Sequence, residues 1–296
     1  MNHVAIDLGS KQSQVCVRNA AGKILYEEKL RTRELKTFFV GQKEKSRVVV
    51  EACSEAFAVA DMATASGHEV RVVPATLAQA LGVGRHGVKN DIKDARQLSE
   101  ASSMREQMPG VHIPSQRARD LKELCTHRNT VVKTRTQIIN TVKGALRARL
   151  IVLKTTKQRL PKVVRETLLA RPEGVPGHIE RLLQMLELQN RFVKEADEEL
   201  ARIAKADTVC QRLMTVPGVG AMTSVRFLAV VDDIKRFPNA HCLESYLGLT
   251  PGEDSSSKRE RRTGVTKAGD SMMRWLLCQA ALSAMKIGRA SCRERV

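Results

Sequence analysis

The chain has 296 residues with a net charge of +18 and a pI near 10; 42% of its residues are hydrophobic, 28% are charged and only 3% are aromatic. Its length and composition allow two globular domains, and its excess of cations favours a polyanionic partner such as nucleic acid, although not one held on stacked aromatic platforms. Seven cysteines without regular spacing, scattered histidines, no signal peptide and no long apolar run argue against disulfides, zinc and a membrane partner, so we expect a protein of the reducing cytoplasm.

Residues 1–110 alternate β-rich runs with helical patterns. The predicted elements are strands over 3–7, 14–18 and 23–28, a helix over 32–40 capped by Thr32, a strand over 47–53, a helix over 54–66 capped by Ser54, and a strand over 69–73. The order β-β-β-α-β-α-β, followed by helices, is typical of the ribonuclease H-like fold. There, three antiparallel strands lead into parallel strands that crossover helices connect.

Four acids stand at positions where this fold would bring carboxylates together. Asp7 ends the first strand and Glu51 ends the fourth, and these two strands are neighbours in a ribonuclease H-like sheet. Asp91 and Asp94 are three residues apart, so a helix would place both on one face. Four carboxylates from three elements could hold two Mg²⁺ ions, which clamp the attacking and leaving oxygens of a phosphodiester.

Other interpretations of this region remain open. Asp91 could simply complement a helix dipole, and Glu51 could be an ordinary strand-end residue. An actin-like nucleotide-binding domain also begins with a strand, an acid and a glycine turn, but it needs a second glycine-rich phosphate loop that the sequence lacks. The nearby serines are expected at the surface; they are Ser99, Ser102 and Ser103.

The middle of the chain, residues 111–206, is strongly basic and helical. Residues 115–165 contain fourteen lysines and arginines but only two acids, Asp120 and Glu123. This excess of positive charge predicts contact with RNA or DNA. Apolar residues recur at helical spacing from Pro114 to Leu150. The opposite face carries Arg117 and the candidate nucleic-acid ligands Arg128, Arg135, Lys143, Arg147 and Arg149.

Pro161 and later helix breakers separate a second long helix, predicted over residues 178–206. It keeps a heptad pattern whose two seams are Ile179, Leu186, Val193 and Leu200, and Leu182, Gln189, Ala196 and Ile203. This pattern fits either a coiled-coil dimer or a helical hairpin within one chain.

Residues 207–286 read as a helix, a tight turn and further helices. The turn, Val216–Gly220, resembles a helix-hairpin-helix element, in which glycine allows backbone N–H groups to approach a phosphate; Val216, Gly218, Val219 and Gly220 are its candidate DNA ligands. Packing is the alternative reason for these glycines. After a short helix comes a polar loop that holds Ser255, Ser256 and Ser257 beside Lys258, Arg259, Arg261 and Arg262, and then an apolar helix with Arg274 near its start.

Seven segments together resemble the DEDD-type insertion-sequence transposases, whose amino-terminal domain is RuvC-like and whose carboxy-terminal domain holds a helix-hairpin-helix. The resemblance extends over nearly the whole chain, to about Lys286. It implies a RuvC-like domain over 1–110, a central helical or coiled-coil segment over 111–206, and a small all-α domain over 207–286. The matching segments are AIDLGSKQSQV, VVVEAC, GHEVRVVPA, VKNDIKDARQL, LMTVPGVGAMTS, FPNAHCLESYLGLTP and SSSKRERRTGVTKAGDSMMRWLL.

The resemblance also implies chemistry. Asp7, Glu51, Asp91 and Asp94 fall on the family's acidic tetrad, with Mg²⁺ as cofactor, and a serine that attacks DNA falls in the polar loop. Counting back from Lys267, itself a candidate DNA ligand, selects Ser256. Because the family reads Ser-Gly where this chain reads Ser256–Ser257, Ser255 and Ser257 remain alternatives. Members of the family are guided by a structured RNA, which the basic middle would suit, and strand exchange on two duplexes implies a dimer or tetramer.

Residues 287–296 depart from the family. They show no helical pattern and can be back-translated into a common sequencing adapter, so we expect this tail to be an artefact. Two other functions fit the sequence less well. One is a RuvC-like junction resolvase, which needs the four carboxylates but no serine, and the other is a non-catalytic RNA- or DNA-binding protein.

Overall fold

A five-stranded mixed sheet forms from the β-rich runs near the amino terminus. In this computed structural model, which describes residues 1–80, 90–253 and 262–293, the strand order is β3-β2-β1-β4-β5. The pairs β1–β2 and β2–β3 are antiparallel, and β1–β4 and β4–β5 are parallel, as predicted. The elements are β1 (Asn2–Asp7), β2 (Gln12–Arg18), β3 (Ile24–Arg31), α1 (Leu35–Gly41), β4 (Ser46–Glu51), α2 (Ala56–Ala65), β5 (Glu69–Val73), α3 (Ala75–Ala80) and α4 (Asp91–Met104).

The sheet is covered on both faces, which explains its nearly continuous apolar strands. On one face Ile6 and Val50 pack with Phe39 of α1 and Val59 of α2. On the other face Ala5, Val49 and Val73 pack with Leu98 of α4. This mixed sheet between helices is compatible with the ribonuclease H-like fold, and it fixes which strand-end residues share a face.

Two predicted helix caps are wrong. The hydroxyl of Thr32 donates to the backbone oxygen of Gly9 at 2.6 Å and hydrogen-bonds Ser13 at 2.9 Å, so Thr32 joins the β1–β2 turn to the end of β3. Helix α1 begins later, at Leu35. Ser54 does not cap α2 either, because that helix begins at Ala56 without a side-chain cap. At Thr32 a tertiary contact thus replaces the local cap that the sequence suggested.

The expectation that Ser99 and Ser102 lie at the surface is also wrong. Both are fully buried where α4 packs on β1 and β2. Ser99 accepts a hydrogen bond from Arg18 Nε at 2.9 Å, and Ser102 hydrogen-bonds His3 Nδ1 at the same distance. Small hydroxyl side chains let the helix approach the sheet closely while keeping these buried polar groups bonded.

The elements described so far belong to one unit, Met1–Pro114, and the remaining residues form a second unit, Ser115–Val296. Within it, helix α5 packs against α7 along an antiparallel seam. Leu121 at the start of α5 contacts Leu200 near the end of α7, and Leu146 at the end of α5 packs with Ile179 at the start of α7. The elements are α5 (Gln116–Arg147), α6 (Leu160–Leu169), α7 (Gly177–Ala206), α8 (Thr208–Met214), α9 (Ala221–Val231), α10 (Ala240–Tyr246), β6 (Pro251–Glu253), β7 (Arg262–Val265) and α11 (Ser271–Arg293).

The heptad of α7 is therefore used inside the chain. Its first seam is buried at all four positions, Ile179, Leu186, Val193 and Leu200, as predicted. The second seam drifts, so that Leu183 and Ala204 are buried instead of Leu182 and Ile203, because a straight α-helix repeats every 3.6 rather than 3.5 residues. Because α5 covers this seam, the same residues are not available to a partner chain. The prediction of a coiled-coil dimer through this seam is therefore wrong, and the alternative, a helical hairpin within one chain, is confirmed.

Three further expectations need correction. Pro161 does not break a helix but lies in the first turn of α6, where its missing N–H costs nothing. The all-α expectation for residues 207–286 misses the antiparallel β6–β7 ladder. The tail does not lack helix, because α11 extends to Arg293. No helix in the described part of the chain is long and apolar enough to span a bilayer.

Candidate active site

Asp7 and Glu51 lie side by side at one end of the sheet. The parallel register pairs Ile6 with Val50, so the next residues, Asp7 and Glu51, end adjacent strands. Because side chains alternate along a strand, both acids follow Ala5 and Val49 on the face that α4 covers. Neither acid is fully exposed. The structure thus brings together the two strand-end carboxylates that the sequence singled out.

Helix α4 brings the other two acids to the same end of the sheet. Ser102, late in α4, contacts His3 at the start of β1, so the helix runs opposite to β1 and its first turn lies toward Asp7. Asp94 is only 8% exposed, and the Asn90 side chain caps the helix by accepting from the backbone N–H of Ile92. The prediction that Asp91 and Asp94 share a helix is confirmed, and its capping residue is Asn90.

Asp91 is held by a lysine of the sheet. Lys29 Nζ lies 3.2 Å from Asp91 Oδ2, and the strand register places Lys29 in the same row as Asp7. Among the residues that the structure describes, no three acidic, histidine or cysteine side chains converge closely enough to hold a metal ion. The donor chemistry nevertheless fits, since Mg²⁺ prefers carboxylate oxygens. A cation here would displace Lys29 from Asp91 at small cost, because this ion pair is half exposed.

Three cations that no local sequence pattern singles out lie beside this edge. Lys11, Arg31 and Arg33 line a pocket of about 480 Å³ with Ser10 and Gln12, in and opposite the turn that follows Asp7. Gln12 pairs with Arg31 across the β2–β3 ladder. The only sequence signal was the pairing of the two strands, which brings cations twenty residues apart to one place. Such a cluster can attract a phosphate backbone to the carboxylates.

The polar loop with the three serines connects two strands that pair with each other in the structure. Strands β6 and β7 pair Pro251 with Val265 and Glu253 with Arg262. Of Arg262 the structure describes the backbone in β7, and Lys267 is exposed with a left-handed φ of 56°. The remaining candidates of this loop lie outside the described residues; they are Ser255, Ser256, Ser257, Lys258, Arg259 and Arg261.

The base of this hairpin is closed by two glycines. Gly248 and Gly269 both have a φ of +70°, and a Cβ on either would overlap the backbone oxygen of Ala268 or Tyr246, respectively. Arg274 adds a further tie, since its guanidinium donates to the backbone oxygens of Leu247 and Ala268. The sequence signal that could have found this base is the pair of glycines that flank the loop.

We expect Gly248→Ala to destabilise the hairpin, because a methyl group there meets the Ala268 backbone and the positive φ disfavours any side chain. The free energy of unfolding should fall by about 2 kcal/mol or more, and proteolysis between residues 249 and 267 should accelerate. Urea unfolding and limited proteolysis measure both effects. Gly264→Ala is the matched control, since nothing lies within 4 Å of an added Cβ in the same hairpin. Equal behaviour of the two variants would contradict this account of the base.

A buried ion pair fixes the helix that follows the hairpin. Arg226 of α9, 4% exposed, binds Asp270 through Nη2 at 2.5 Å and Nε at 3.2 Å. Asp270 also accepts from the backbone N–H of Met273 at 2.7 Å, in the first turn of α11. Burial by itself opposes ionisation of Asp270, but these hydrogen bonds outweigh it and hold its pKa below the ordinary value. Helices α9 and α11 are thereby locked together at the hairpin base.

Neutralising Asp270 should destabilise the fold, because the charge of Arg226 would then stay buried without its partner. We expect Asp270→Asn to lower the free energy of unfolding by about 3 kcal/mol at pH 7. Because the folded pKa of Asp270 lies below its unfolded value, the stabilisation is complete above about pH 4 and is lost as the pH falls further. Urea titrations at several pH values should show a constant gap between wild type and variant down to about pH 4.5, and a narrowing gap below.

The control for this pair is Glu166→Gln. Its partner Lys162 is 3.8 Å away and both side chains are largely exposed, so the change should stay within about 0.5 kcal/mol at every pH. A comparable loss in both variants would show that the Arg226–Asp270 pair has no special structural role.

The Val216–Gly220 turn combines a packing residue with an open end of a helix. Gly218 has a φ of +87°, and a Cβ there would overlap the backbone oxygen of Ala280 in α11, so its lack of a side chain serves packing. Gly220 precedes α9 with no heavy atom within 4 Å of an added Cβ, and Val216 is 51% exposed. Any phosphate contact of this turn would therefore involve the Gly220 side rather than Gly218.

The basic middle region is only partly an exposed cationic face. Lys143, Arg147 and Arg149 are exposed near the end of α5, as expected. Arg128 is engaged by Asp197 of α7, with Nε at 2.8 Å from Oδ1. Arg135, predicted on the exposed face, is instead 92% buried between α5 and α7. Arg135 is not on the exposed basic face because the face that α5 presents to α7 includes this residue.

Two family models match this chain. One, described as the transposase IS116/IS110/IS902 family, matches residues 210–296, and a second, a DEDD transposase model of the IS110 type, matches residues 4–150. The chain is 29% identical over 294 residues to the transposase for insertion sequence element IS1111A of Coxiella burnetii, covering 96% of this chain and 78% of the relative.

Further relatives carry similar names. A probable family 20 transposase of Pseudomonas aeruginosa is 25% identical over 97% of this chain and 85% of its own length. The transposase for insertion sequence element IS1328 of Yersinia enterocolitica is 26% identical over 94% and 82%, respectively. The DEDD model covers the first unit and continues through α5 of the second, whereas the other model lies wholly within the second unit. This chain belongs to the IS110-type family of DEDD insertion-sequence transposases, which process DNA and therefore bind it.

Proposed function

We propose that this transposase cleaves and exchanges DNA strands with Mg²⁺ at the sheet edge and a serine of the hairpin as nucleophile, guided by an RNA. The observation that supports it most is the placement of Asp7 and Glu51 on adjacent strand ends, on the face covered by the helix that carries Asp91 and Asp94. Mg²⁺ bound by these four carboxylates would neutralise charge on the scissile phosphate and on the departing oxygen.

The serine step uses the chain's own groups. The Ser256 hydroxyl attacks phosphorus, so that an Oγ–P bond forms and the P–O3′ bond breaks; the serine loses its proton and the 3′ oxygen gains one. A serine hydroxyl is a weak nucleophile at its free pKa and needs local activation. The loop cations Lys258, Arg259, Arg261 and Arg262 would offset the negative charge that builds up at phosphorus, and Lys267 would bind the neighbouring backbone.

Guide and target would occupy separate surfaces. The exposed cations near the end of α5, Lys143, Arg147 and Arg149, together with Arg128 and Arg135 are proposed to contact RNA or DNA. The Val216–Gly220 turn is proposed to contact the DNA backbone through its open Gly220 side. Because exchange on two duplexes needs several active sites, a dimer or tetramer is proposed, held by surfaces other than the α5–α7 seam.

Purification with the flanking non-coding DNA co-expressed tests this proposal. We expect one specific RNA to be recovered and sequenced from the protein, and the complex to cleave element-end DNA only when Mg²⁺ is added. Recovery of random cellular RNA alone would contradict guidance. Cleavage that persists in excess chelator would contradict the metal site.

A further inference from the structure

A groove of about 680 Å³ opens between α5 and α7. Its wall contains cations from both helices and two amide side chains. The polar residues that matter are Arg128, Arg135, Gln158, Asn190, Arg191 and Lys194.

Arg135 is the unusual member of this set. Its residue is only 8% exposed, and its Nε has no hydrogen-bond partner. Burial, followed by the nearby charge of Arg128, lowers the pKa of its guanidinium. A buried guanidinium N–H without an acceptor is costly, and native structures rarely leave one in that state without a reason. An anion in the groove would supply the missing acceptor.

The acids of the groove do not fill that role. Asp197 is already bound by Arg128 at 2.8 Å, and Glu198 lies 3.7 Å from Lys194. Arg135 forms no ion pair within the described ranges. The charge of Asp197 acts on Arg135 only from beyond ion-pair distance, whereas Arg128, Arg191 and Lys194 each have a direct acidic partner.

Asn190 supplies a second unbonded group of opposite type. Its Nδ2 donates to the backbone oxygen of Lys157 at 3.4 Å, which fixes the orientation of the amide and leaves Oδ1 as a buried acceptor without a partner. A ligand that satisfies both residues must offer an anionic acceptor to Arg135 and a hydroxyl or amine donor to Asn190. A ribonucleotide backbone carries both, as phosphate and 2′-hydroxyl, whereas deoxyribonucleotides lack the hydroxyl.

We propose that the α5–α7 groove binds the backbone of an RNA strand, with a phosphate on Arg135 and a ribose 2′-hydroxyl on Asn190 Oδ1. This proposal rests on the RNA guidance proposed above and assigns it a site. The groove is then a positioning element for RNA, separate from the residues that cut DNA.

Binding of matched single-stranded RNA and DNA oligonucleotides to the full chain tests this assignment. Fluorescence anisotropy should show that Arg135→Met weakens RNA binding about tenfold and reduces the salt slope of log K by about 0.7, the value for one lost phosphate contact on a single strand. Arg202→Met, which removes an exposed arginine of α7 outside the groove, should change the affinity less than about threefold. Asn190→Leu should bring the RNA affinity down to the DNA affinity.

A stability measurement separates binding from a structural role. Arg135→Met removes a buried charge that the chain does not satisfy, so its thermal midpoint should equal or exceed that of wild type. A lower midpoint would show that Arg135 supports the fold and would overturn the assignment, as would equal losses in Arg135→Met and Arg202→Met.

The remaining outcomes distinguish failure of the groove site from failure of the proposed RNA guidance on which it rests. No RNA binding by wild type would overturn both proposals. RNA binding that Arg135→Met leaves unchanged would overturn the groove alone. Inorganic phosphate that stabilises wild type but not Arg135→Met, with unchanged RNA affinity, would show a site for free phosphate instead.

Discussion

Asp7→Asn is expected to lower metal-dependent DNA cleavage by on the order of 10³-fold. A metal ion at a phosphoryl centre contributes several kcal/mol of transition-state stabilisation, and each 1.4 kcal/mol corresponds to about a factor of ten in rate. Asp7 ends β1 beside Glu51, so its amide would remove one charged ligand from the centre of the proposed set. The substitution is nearly isosteric and should leave the sheet intact. Plasmid cleavage across a Mg²⁺ titration measures the loss.

Asp61→Asn is the matched control for this change. Asp61 is an exposed acid of α2, which packs on the face of the sheet opposite to α4. We expect its cleavage rate to stay within about twofold of wild type, since surface changes away from a site are generally mild. DNA binding should survive in both variants. Cleavage by Asp7→Asn at the wild-type rate would favour a DNA-binding role for the carboxylates or none.

Ser256→Ala is expected to abolish strand exchange, by on the order of 10³-fold or more, because the nucleophile itself is removed. The covalent protein–DNA adduct should disappear from denaturing gels of labelled element-end DNA. Metal-dependent cleavage of this DNA should be lost as well, because the same serine breaks the P–O3′ bond. Since Gly248 and Gly269 hold the hairpin base, a single alanine in the segment that connects β6 and β7 should not unfold it.

The neighbouring serines provide the controls. Ser255→Ala and Ser257→Ala should each retain the adduct and most of the exchange rate. Loss of the adduct in one of these variants, with Ser256→Ala active, would move the nucleophile by one residue. Exchange that survives all three substitutions would favour a RuvC-like resolvase, which needs no serine.

Much of the first unit follows from local patterns. Strand periodicity and turn residues predicted the five strands and their order, because side chains that alternate between two buried faces leave a clear apolar signature. The same order placed Asp7 next to Glu51, since parallel neighbours end at one edge. The three-residue spacing predicted that Asp91 and Asp94 lie in one helix, and α4 confirms it, although Asp94 is buried and Asp91 is half exposed.

What the sequence could not show depends on contacts between distant residues. The pairing of Lys29 with Asp91 joins positions 62 apart, and no local pattern encodes it. Thr32 looked like a helix cap until the β1–β2 turn supplied a better partner in Gly9. The burial of Arg135 depends on which side of α5 packs against α7. Helical periodicity locates the boundary of that side only to within about one residue per turn, so it does not decide whether residue 135 is buried.

The sequence by itself therefore determined the family, the order of the strands and the positions of the four acids, because these follow from residue identity and short-range spacing. Only the tertiary structure decided that the heptad of α7 is buried against α5 of the same chain, that Gly218 serves packing, and that Arg135 lies in a groove rather than in solvent. Each of these outcomes is set by how two helices pack. Packing depends on the shapes of both helix surfaces together, and the sequence of one helix does not carry that information alone.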